Sequence, residues 1–392
     1  MDALFDPVRH EPLLDRAWDA GVAADAIVSI VTEIQAAASP EGIWPSPENA
    51  GEPPAMGLYF GSAGTVWALD YLAREGAAPA GPSFADHVPA MLASNHAVHT
   101  AMKMQTRSYL LAGAGILLLQ YRLAPSAAVA DALAVIVAEN TDDPALELMW
   151  GAPGTMLAAL FMHRETGEAR WAEQFRAGAQ ALEQTFVFDE ATGAFLWCQD
   201  LYGRTTKHIG AVHGFAGNAH VLWAGRHLLE PEVWARWSSR IAETLRATAQ
   251  RGEAGVNWPA EAPTHPKALV QHCHGAPGMI TTLGLLDEPI DDLLLAGGEL
   301  TWTAGPLTKG ANLCHGTAGN GYAFLKLFER TGDQLWLDQA RSFAMHAIGQ
   351  SDAEAETLGR RDPTLWNGDP GLACYLLDCI EARARFPTMD VF

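Results

Sequence analysis

The sequence predicts an all-α chain wound into an α/α toroid (a double α-barrel) of about seven helical hairpins. Three observations point there. A Gly-x-x-Gly motif recurs seven times, each copy opening an apolar helical stretch. Two of the copies hold a common register well beyond the motif. The helix after the motif is apolar on every side, whereas its partner carries a polar face.

The copies are Gly61-Ser62-Ala63-Gly64, Ala112-Gly113-Ala114-Gly115, Gly151-Ala152-Pro153-Gly154, Gly214-Phe215-Ala216-Gly217, Gly275-Ala276-Pro277-Gly278, Gly316-Thr317-Ala318-Gly319 and Gly368-Asp369-Pro370-Gly371. The second replaces the first glycine with Ala112. Copy three runs on through Arg164-Glu165-Thr166-Gly167 to Trp171, and copy six through Glu329-Arg330-Thr331-Gly332 to Trp336. In both, the Thr lies 15 residues past the first glycine and the Trp five beyond the Thr. Such register predicts an αα-hairpin: a first helix near Thr155 to His163, a Thr-Gly turn, and a second helix from Glu168 to Phe186.

Met156 through Met162 is apolar throughout, which buries the first helix on all sides. The second helix of copy six points Leu335, Ala340, Phe343, Ala344, Ala347 and Ile348 inward and leaves Asp333, Asp338, Gln339 and Arg341 outside. Buried inner helices and amphipathic outer ones make a ring, and a closed ring needs no polar capping repeat. Residues 1–54 are expected to form an N-terminal helical segment packed on the toroid, and residues 55–392 the toroid as a single domain. The Pro-rich stretches Pro40 to Pro54 and Pro259 to Pro266 are expected to be loops within the array.

Composition narrows the function. Of 392 residues, 49% are hydrophobic and 18% charged, ample for a packed core and incompatible with wholesale disorder. Asp and Glu number 46 against 25 Lys and Arg, so the net charge of -21 repels phosphate backbones and anionic headgroups. Neither nucleic acid nor a membrane surface is an expected partner. The opening Met1 to Asp6 lacks the basic and apolar parts of a secretory signal, and no apolar run reaches the roughly 18 residues of a membrane span. Five cysteines, an odd and sparse set, suit a reducing compartment. The expected location is cytoplasmic.

The chemistry stands just ahead of three motif copies. His272-Cys273-His274 precedes copy five, Cys314-His315 precedes copy six, and His213 precedes Gly214. Helix starts offer free N–H groups and a positive dipole end, which favour thiolates and anions. In isolation a Cys-His pair is an ordinary buried thiol and core histidine. Here a Cys occupies the same place, two before the glycine, in two repeats. Two thiolates and one imidazole make a zinc set with a fourth position open to substrate. The resulting centre is neutral, poorly suited to generating hydroxide but well suited to holding a thiolate. A free thiol, with pKa about 8.5, is only slightly ionised at neutral pH, and coordination removes its proton. Thiol activation is therefore expected ahead of hydrolysis.

Cys273-His274-Gly275-Ala276-Pro277-Gly278, Cys314-His315-Gly316-Thr317-Ala318-Gly319-Asn320 and His213-Gly214-Phe215-Ala216-Gly217 resemble the lanthionine synthetase C-like family over about residues 55 to 392. The tail Ala384-Arg385-Phe386-Pro387 is similar to that of the eukaryotic-type, LanC-like branch. The resemblance implies one zinc per chain, with Cys273, Cys314 and His315 as its ligands. Family cyclases add a cysteine thiol across dehydroalanine or dehydrobutyrine to form a thioether, and the LanC-like branch is associated with glutathione addition to such residues in damaged proteins. His213 matches the family's acid/base histidine. Glu147, four before Gly151, matches an acidic position often filled by Asp. Two readings of Glu147 stay open, a carboxylate holding the His213 tautomer and an ordinary exposed one. His272 replaces a usual aromatic residue, and three readings stay open: a residue supporting the ligands from behind, an extra proton carrier and, preferred, a polar rim residue. Cys198, Cys374 and Cys379 match no ligand position and are expected in the core.

The resemblance thus implies glutathione or a Cys-containing dehydrated peptide as partner. Other readings are a dedicated lanthionine cyclase for a precursor peptide and a non-catalytic zinc and thiol-peptide binding protein. A toroidal glycosidase or epimerase built on carboxylates or His pairs, without Cys ligands, is a further one.

Overall fold

Every copy of the motif becomes a helix start. In the computed structural model, which describes residues 4–44, 54–264 and 267–392, the first residue of each copy is the N-cap of a helix. Among these residues the α-helices are, in chain order, α1 (Ala20–Ala36), α2 (Ser62–Arg74), α3 (Val88–Ala101), α4 (Gly113–Leu123), α5 (Ala127–Glu139), α6 (Ala152–Thr166), α7 (Ala169–Thr185), α8 (Phe215–Ala224), α9 (Pro231–Thr248), α10 (Ala276–Leu283), α11 (Asp291–Ala304), α12 (Thr317–Thr331), α13 (Gln334–Leu358) and α14 (Asp369–Glu381). The even-numbered helices follow the motifs and stand side by side in the order α2, α4, α6, α8, α10, α12, α14, with α14 returning to α2. The odd-numbered helices pack outside them. The α/α toroid is closed, and α1, the first helix, serves as the outer partner of α14, the last.

The second glycine of each motif shows how closure is achieved. A Cβ built there would fall 1.9–2.3 Å from a carbonyl oxygen of the loop leading into the same helix, closer than any real Cβ sits. The loop crosses the helix start directly, and only glycine leaves room for it. Against that bare face lies the side chain three positions before the preceding motif round the ring. Leu58 packs on Gly115, Tyr109 on Gly154, Leu148 on Gly217, Ala211 on Gly278, His272 on Gly319, Leu313 on Gly371, and Leu365 on Gly64. The last contact returns to the first repeat. The motif is thus close packing and ring closure at once.

The hairpin expectation holds in detail. Gly167 and Gly332 end α6 and α12 in the left-handed conformation, φ 68° and 70°, each N–H donating back to a carbonyl of the last turn. Met156 to Met162 is buried throughout. Two assignments on α13 are reversed: Leu335 is 53% exposed and Gln339 is buried. Leu335 lies in the first turn, capped by Asp333, before the helix settles against its neighbours.

Short hairpins interrupt the all-helical pattern. Strands β1 (Val187–Asp189) and β2 (Ala194–Leu196) pair antiparallel, as do β3 (Gln199–Leu201) with β4 (Arg204–Thr206) and β5 (Gln250–Gly252) with β6 (Gly255–Asn257). They fill the connections α7 to α8 and α9 to α10. Of the Pro-rich stretches, residues 45–53 and 265–266 lie outside the described residues.

The middle of the ring is filled by the tail. Phe386 and Met389 are buried, Tyr109 Oη donates to the Thr388 carbonyl at 2.7 Å, and the Phe392 ring lies 5.9 Å from Trp67 and 5.6 Å from Phe161. Buried Lys326 meets Asp390 at 3.0 Å and donates to the Ala384 carbonyl at 2.8 Å. One strand of chain thereby ties several inner helices together.

Candidate metal centre

The loops before the motifs are bonded to one another through the residue two places ahead of each motif. The Cys273 N–H donates to the Cys314 carbonyl at 3.0 Å, Cys314 N–H to Trp366 at 3.0 Å, Trp366 N–H to Tyr59 at 3.3 Å, and Tyr59 N–H to Leu110 at 2.9 Å. These bonds run between repeats five, six, seven, one and two. They bring residues far apart in sequence onto one rim of the ring. Backbone pairing, rather than any property of the thiols, fixes the approach of Cys273 to Cys314.

Cys273 Sγ, Cys314 Sγ and a His315 ring nitrogen lie within 4.8 Å of one another, with both cysteines buried. His315 is half-buried, and its backbone N–H donates to Asn312 Oδ1 at 3.0 Å. The two thiols are hydrogen-bonded to each other and are shifted in opposite directions. The Cys273 thiol is drawn well down because it accepts from Cys314, despite burial, and faces His274 and His315. Cys314 is pushed up correspondingly, by its bond to Cys273 and by burial. Two sulfurs and an imidazole at this spacing, one sulfur already predisposed to ionise, form a donor set that fits a borderline-soft divalent cation such as zinc.

Beside this cluster stands a second pair. Glu147 is fully buried, its Oε2 2.9 Å from His213 Nδ1. Its oxygens also accept from the Met149 N–H at 3.0 Å and the Trp150 N–H at 2.6 Å. The exposed-carboxylate reading is therefore excluded. Burial opposes a charge on His213, yet the Glu147 carboxylate beside it outweighs that and raises its pKa above 6.5, with Cys273 adding in the same direction. With Nδ1 facing Glu147, Nε2 is the nitrogen left for chemistry.

Two sequence expectations fail. His272 is no rim residue: it is wholly buried, stacked on Phe386 at 4.2 Å, with burial lowering its pKa to about 4. Its position belongs to the set of Leu, Ala and Tyr side chains that pack on the glycines, so it serves as a neutral aromatic spacer. Cys198 is exposed in the two-residue link between β2 and β3, not in the core. Cys374 and Cys379 are buried in α14 as expected, and burial pushes both thiols up.

Other residues of the site escaped the sequence reading. Tyr59 Oη donates to Cys314 Sγ at 2.6 Å, and Gln271 Nε2 donates to Cys273 Sγ at 2.9 Å. Tyr59 stands two before Gly61, the position of the two cysteines in their own repeats, and that equivalence was the available signal. Tyr202, at φ 54° in the tight β3–β4 turn, accepts from Trp150 Nε1 at 3.0 Å and lies 6.3 Å from the His213 ring. Nothing periodic announces a turn residue from another element.

A closed α/α toroid carrying a two-thiol, one-imidazole cluster and a carboxylate-backed histidine defines the class of protein. A sequence model described as lanthionine synthetase C-like protein matches residues 15–391, and the chain belongs to that family. It is 27% identical to glutathione S-transferase LANCL1 of Danio rerio over 62% of this chain and 62% of that protein. It is 28% identical to LanC-like protein GCL1 of Arabidopsis thaliana over 62% of this chain and 58% of the relative. The chain thus matches about three fifths of these relatives' length. Among solved structures, nisin cyclase superimposes with a TM-score of 0.58 at 13% identity, covering 91% of this chain and 93% of that one, which marks a shared fold. No helix among the described residues is long and apolar enough to cross a membrane.

Proposed function

We propose that this protein catalyses metal-dependent addition of a thiol to a dehydroamino acid, joining sulfur to the β-carbon of dehydroalanine or dehydrobutyrine as a thioether. The observation that carries the reading is the approach of Cys273, Cys314 and His315 within 4.8 Å, beside the Glu147–His213 pair. Cys273, Cys314 and His315 would hold one zinc ion per chain. When bound, zinc supplies a Lewis-acidic site that keeps an incoming thiol deprotonated at neutral pH.

This chain's own residues carry the proton chemistry. Attack of the thiolate on the β-carbon places negative charge on the acceptor, and the α-carbon must then take a proton. His213 is suited to donate it from Nε2, because Glu147 holds Nδ1 and raises the imidazole's affinity for a proton. The backbone N–H groups of Met149 and Trp150 fix the carboxylate, so the imidazole is oriented before substrate arrives. The family's similarity to a protein named glutathione S-transferase favours glutathione as the thiol. A cysteine in a dehydrated peptide would meet the same chemistry.

The test is incubation with glutathione and a dehydroalanine peptide, read by mass spectrometry as an adduct whose mass is the sum of the two. His213→Asn is expected to slow adduct formation by about 10²-fold or more while zinc content stays at one per chain. Full activity in protein shown to be free of metal would overturn the reading.

A further inference from the structure

Thiol addition at such a centre raises a problem of selectivity. Three sulfurs would share one ion, two from the protein and one from the substrate, and all three would be thiolates. An electrophilic dehydroamino acid that met Cys273 or Cys314 in place of the substrate sulfur would alkylate the enzyme. The ligand sulfur would bond to the β-carbon, the α-carbon would take a proton, and a thiolate ligand would be converted into a weakly coordinating thioether.

We propose that Tyr59 and Gln271 are positioning residues that suppress this error, each donating a hydrogen bond to one ligand sulfur so that only the substrate thiolate keeps full nucleophilicity. The inference rests on the metal-dependent reading above. There is one donor for each sulfur: Tyr59 Oη to Cys314 at 2.6 Å and Gln271 Nε2 to Cys273 at 2.9 Å. Tyr59 and Gln271 are each 5% exposed, and both sulfurs are buried, so water does not compete with these donors.

Both donors are held in place from several sides. Tyr59 stacks on Trp366 at 5.2 Å and 22°, and its N–H and carbonyl are both bound to neighbouring loops. The Gln271 N–H donates to the His274 carbonyl at 3.1 Å, and its side-chain Oε1 accepts from Arg9 Nη2 at 3.4 Å. Arginine can only donate, so the oxygen of the Gln271 amide must face Arg9 and its NH₂ must face the sulfur. Arg9 is 262 residues away in sequence, which makes the N-terminal segment the element that orients the Gln271 amide.

A hydrogen bond to a coordinated thiolate draws charge from sulfur without removing it from the metal, and such partners tune a centre's reactivity. His315 needs no equivalent, since a coordinated imidazole nitrogen has no lone pair left to attack.

The experiment compares the zinc-loaded protein with its Tyr59→Phe and Gln271→Leu variants, with metal content measured first. Each is treated with iodoacetamide, and the peptides containing Cys273 and Cys314 are quantified by mass spectrometry. At equal zinc occupancy, Tyr59→Phe is expected to speed alkylation of Cys314 by about three- to tenfold and leave Cys273 unchanged, and Gln271→Leu to do the reverse. In cobalt-loaded protein the sulfur-to-metal charge-transfer band is expected at lower energy in each variant than in the parent. Unchanged alkylation and an unchanged band at full occupancy would overturn the proposal. So would acceleration of both cysteines in either single variant, the signature of a loosened site. Parent protein that binds no zinc would instead overturn the metal-dependent reading, before either variant is compared.

Discussion

Glu147 and His213, 66 residues apart, form a pair in which a fully buried carboxylate stands 2.9 Å from the imidazole Nδ1. Because the folded state raises the His213 pKa above 6.5, folding takes up a proton that the unfolded chain releases near that value. The pair's stabilisation is full below about pH 6.5 and is lost as pH rises through the folded value. Glu147→Gln is expected to flatten that slope and lower the His213 pKa. The pH–rate profile should shift to lower pH, with turnover at neutral pH falling by about tenfold or more. Titration of the His213 ring by NMR checks this; an identical midpoint in parent and variant would refute it.

Cys273→Ala and Cys314→Ala are each expected to reduce bound zinc from one per chain to near zero at micromolar metal, since two remaining ligands make a weak site. The loops should stay joined, because the Cys273 N–H to Cys314 carbonyl bond needs no side chain. Elemental analysis with circular dichroism reads both halves: lost metal, retained helix.

Glycine substitutions should divide sharply by position. At Gly319 a Cβ would lie 1.9 Å from the Leu313 carbonyl and 3.1 Å from His272 Cβ, so Gly319→Ala is expected to cost about 3 kcal/mol. At Gly332, φ 70° but with nothing within 4 Å, Gly332→Ala should cost only about 1 kcal/mol. Denaturant unfolding of the two variants gives the comparison, and equal costs would contradict the close-approach account.

Asp390 secures the tail through Lys326 at 3.0 Å and His220 at 3.5 Å. Burial would raise its pKa, but Lys326 and His220 more than offset this and hold it below the usual value. The sign is opposite to that of His213: this stabilisation is present above about pH 4 and is lost as pH falls through the depressed folded value. Asp390→Asn leaves the Lys326 ammonium buried without that counter-charge and should cost about 3 kcal/mol. Thermal unfolding at pH 7 and pH 3 tests it, the difference between parent and variant shrinking in acid.

The ring and its cysteine cluster were legible because both are written as repetition. Gly-x-x-Gly marks each inner helix, and Cys273 and Cys314 hold the same offset from it. The same offset pointed to Tyr59, but a tyrosine among leucine and tryptophan equivalents looks like core until its hydroxyl is seen on sulfur. His272 was misplaced for the converse reason: polarity suggested a rim, while its place in the repeat, shared with Leu58 and Leu313, is interior. Tyr202 and the tail were beyond reach of periodic reasoning, since each acts on the site or the ring from outside the repeat. Cys198 stands in a link between two short strands that an all-helical reading did not contain.

Five of the seven rim positions are bonded in sequence, and that run of equivalent seats extends beyond the two cysteines. Trp366 and Tyr59 occupy the next two places after Cys314, with the same main-chain links to their neighbours. A cysteine at Trp366 would keep that main-chain link but remove a buried indole stacked on Tyr59 at 5.2 Å, so moving the cluster by one seat requires the core there to be refilled. Such rotational redundancy offers designers neighbouring addresses for a two-sulfur cluster on a single frame, provided the indole's volume is replaced.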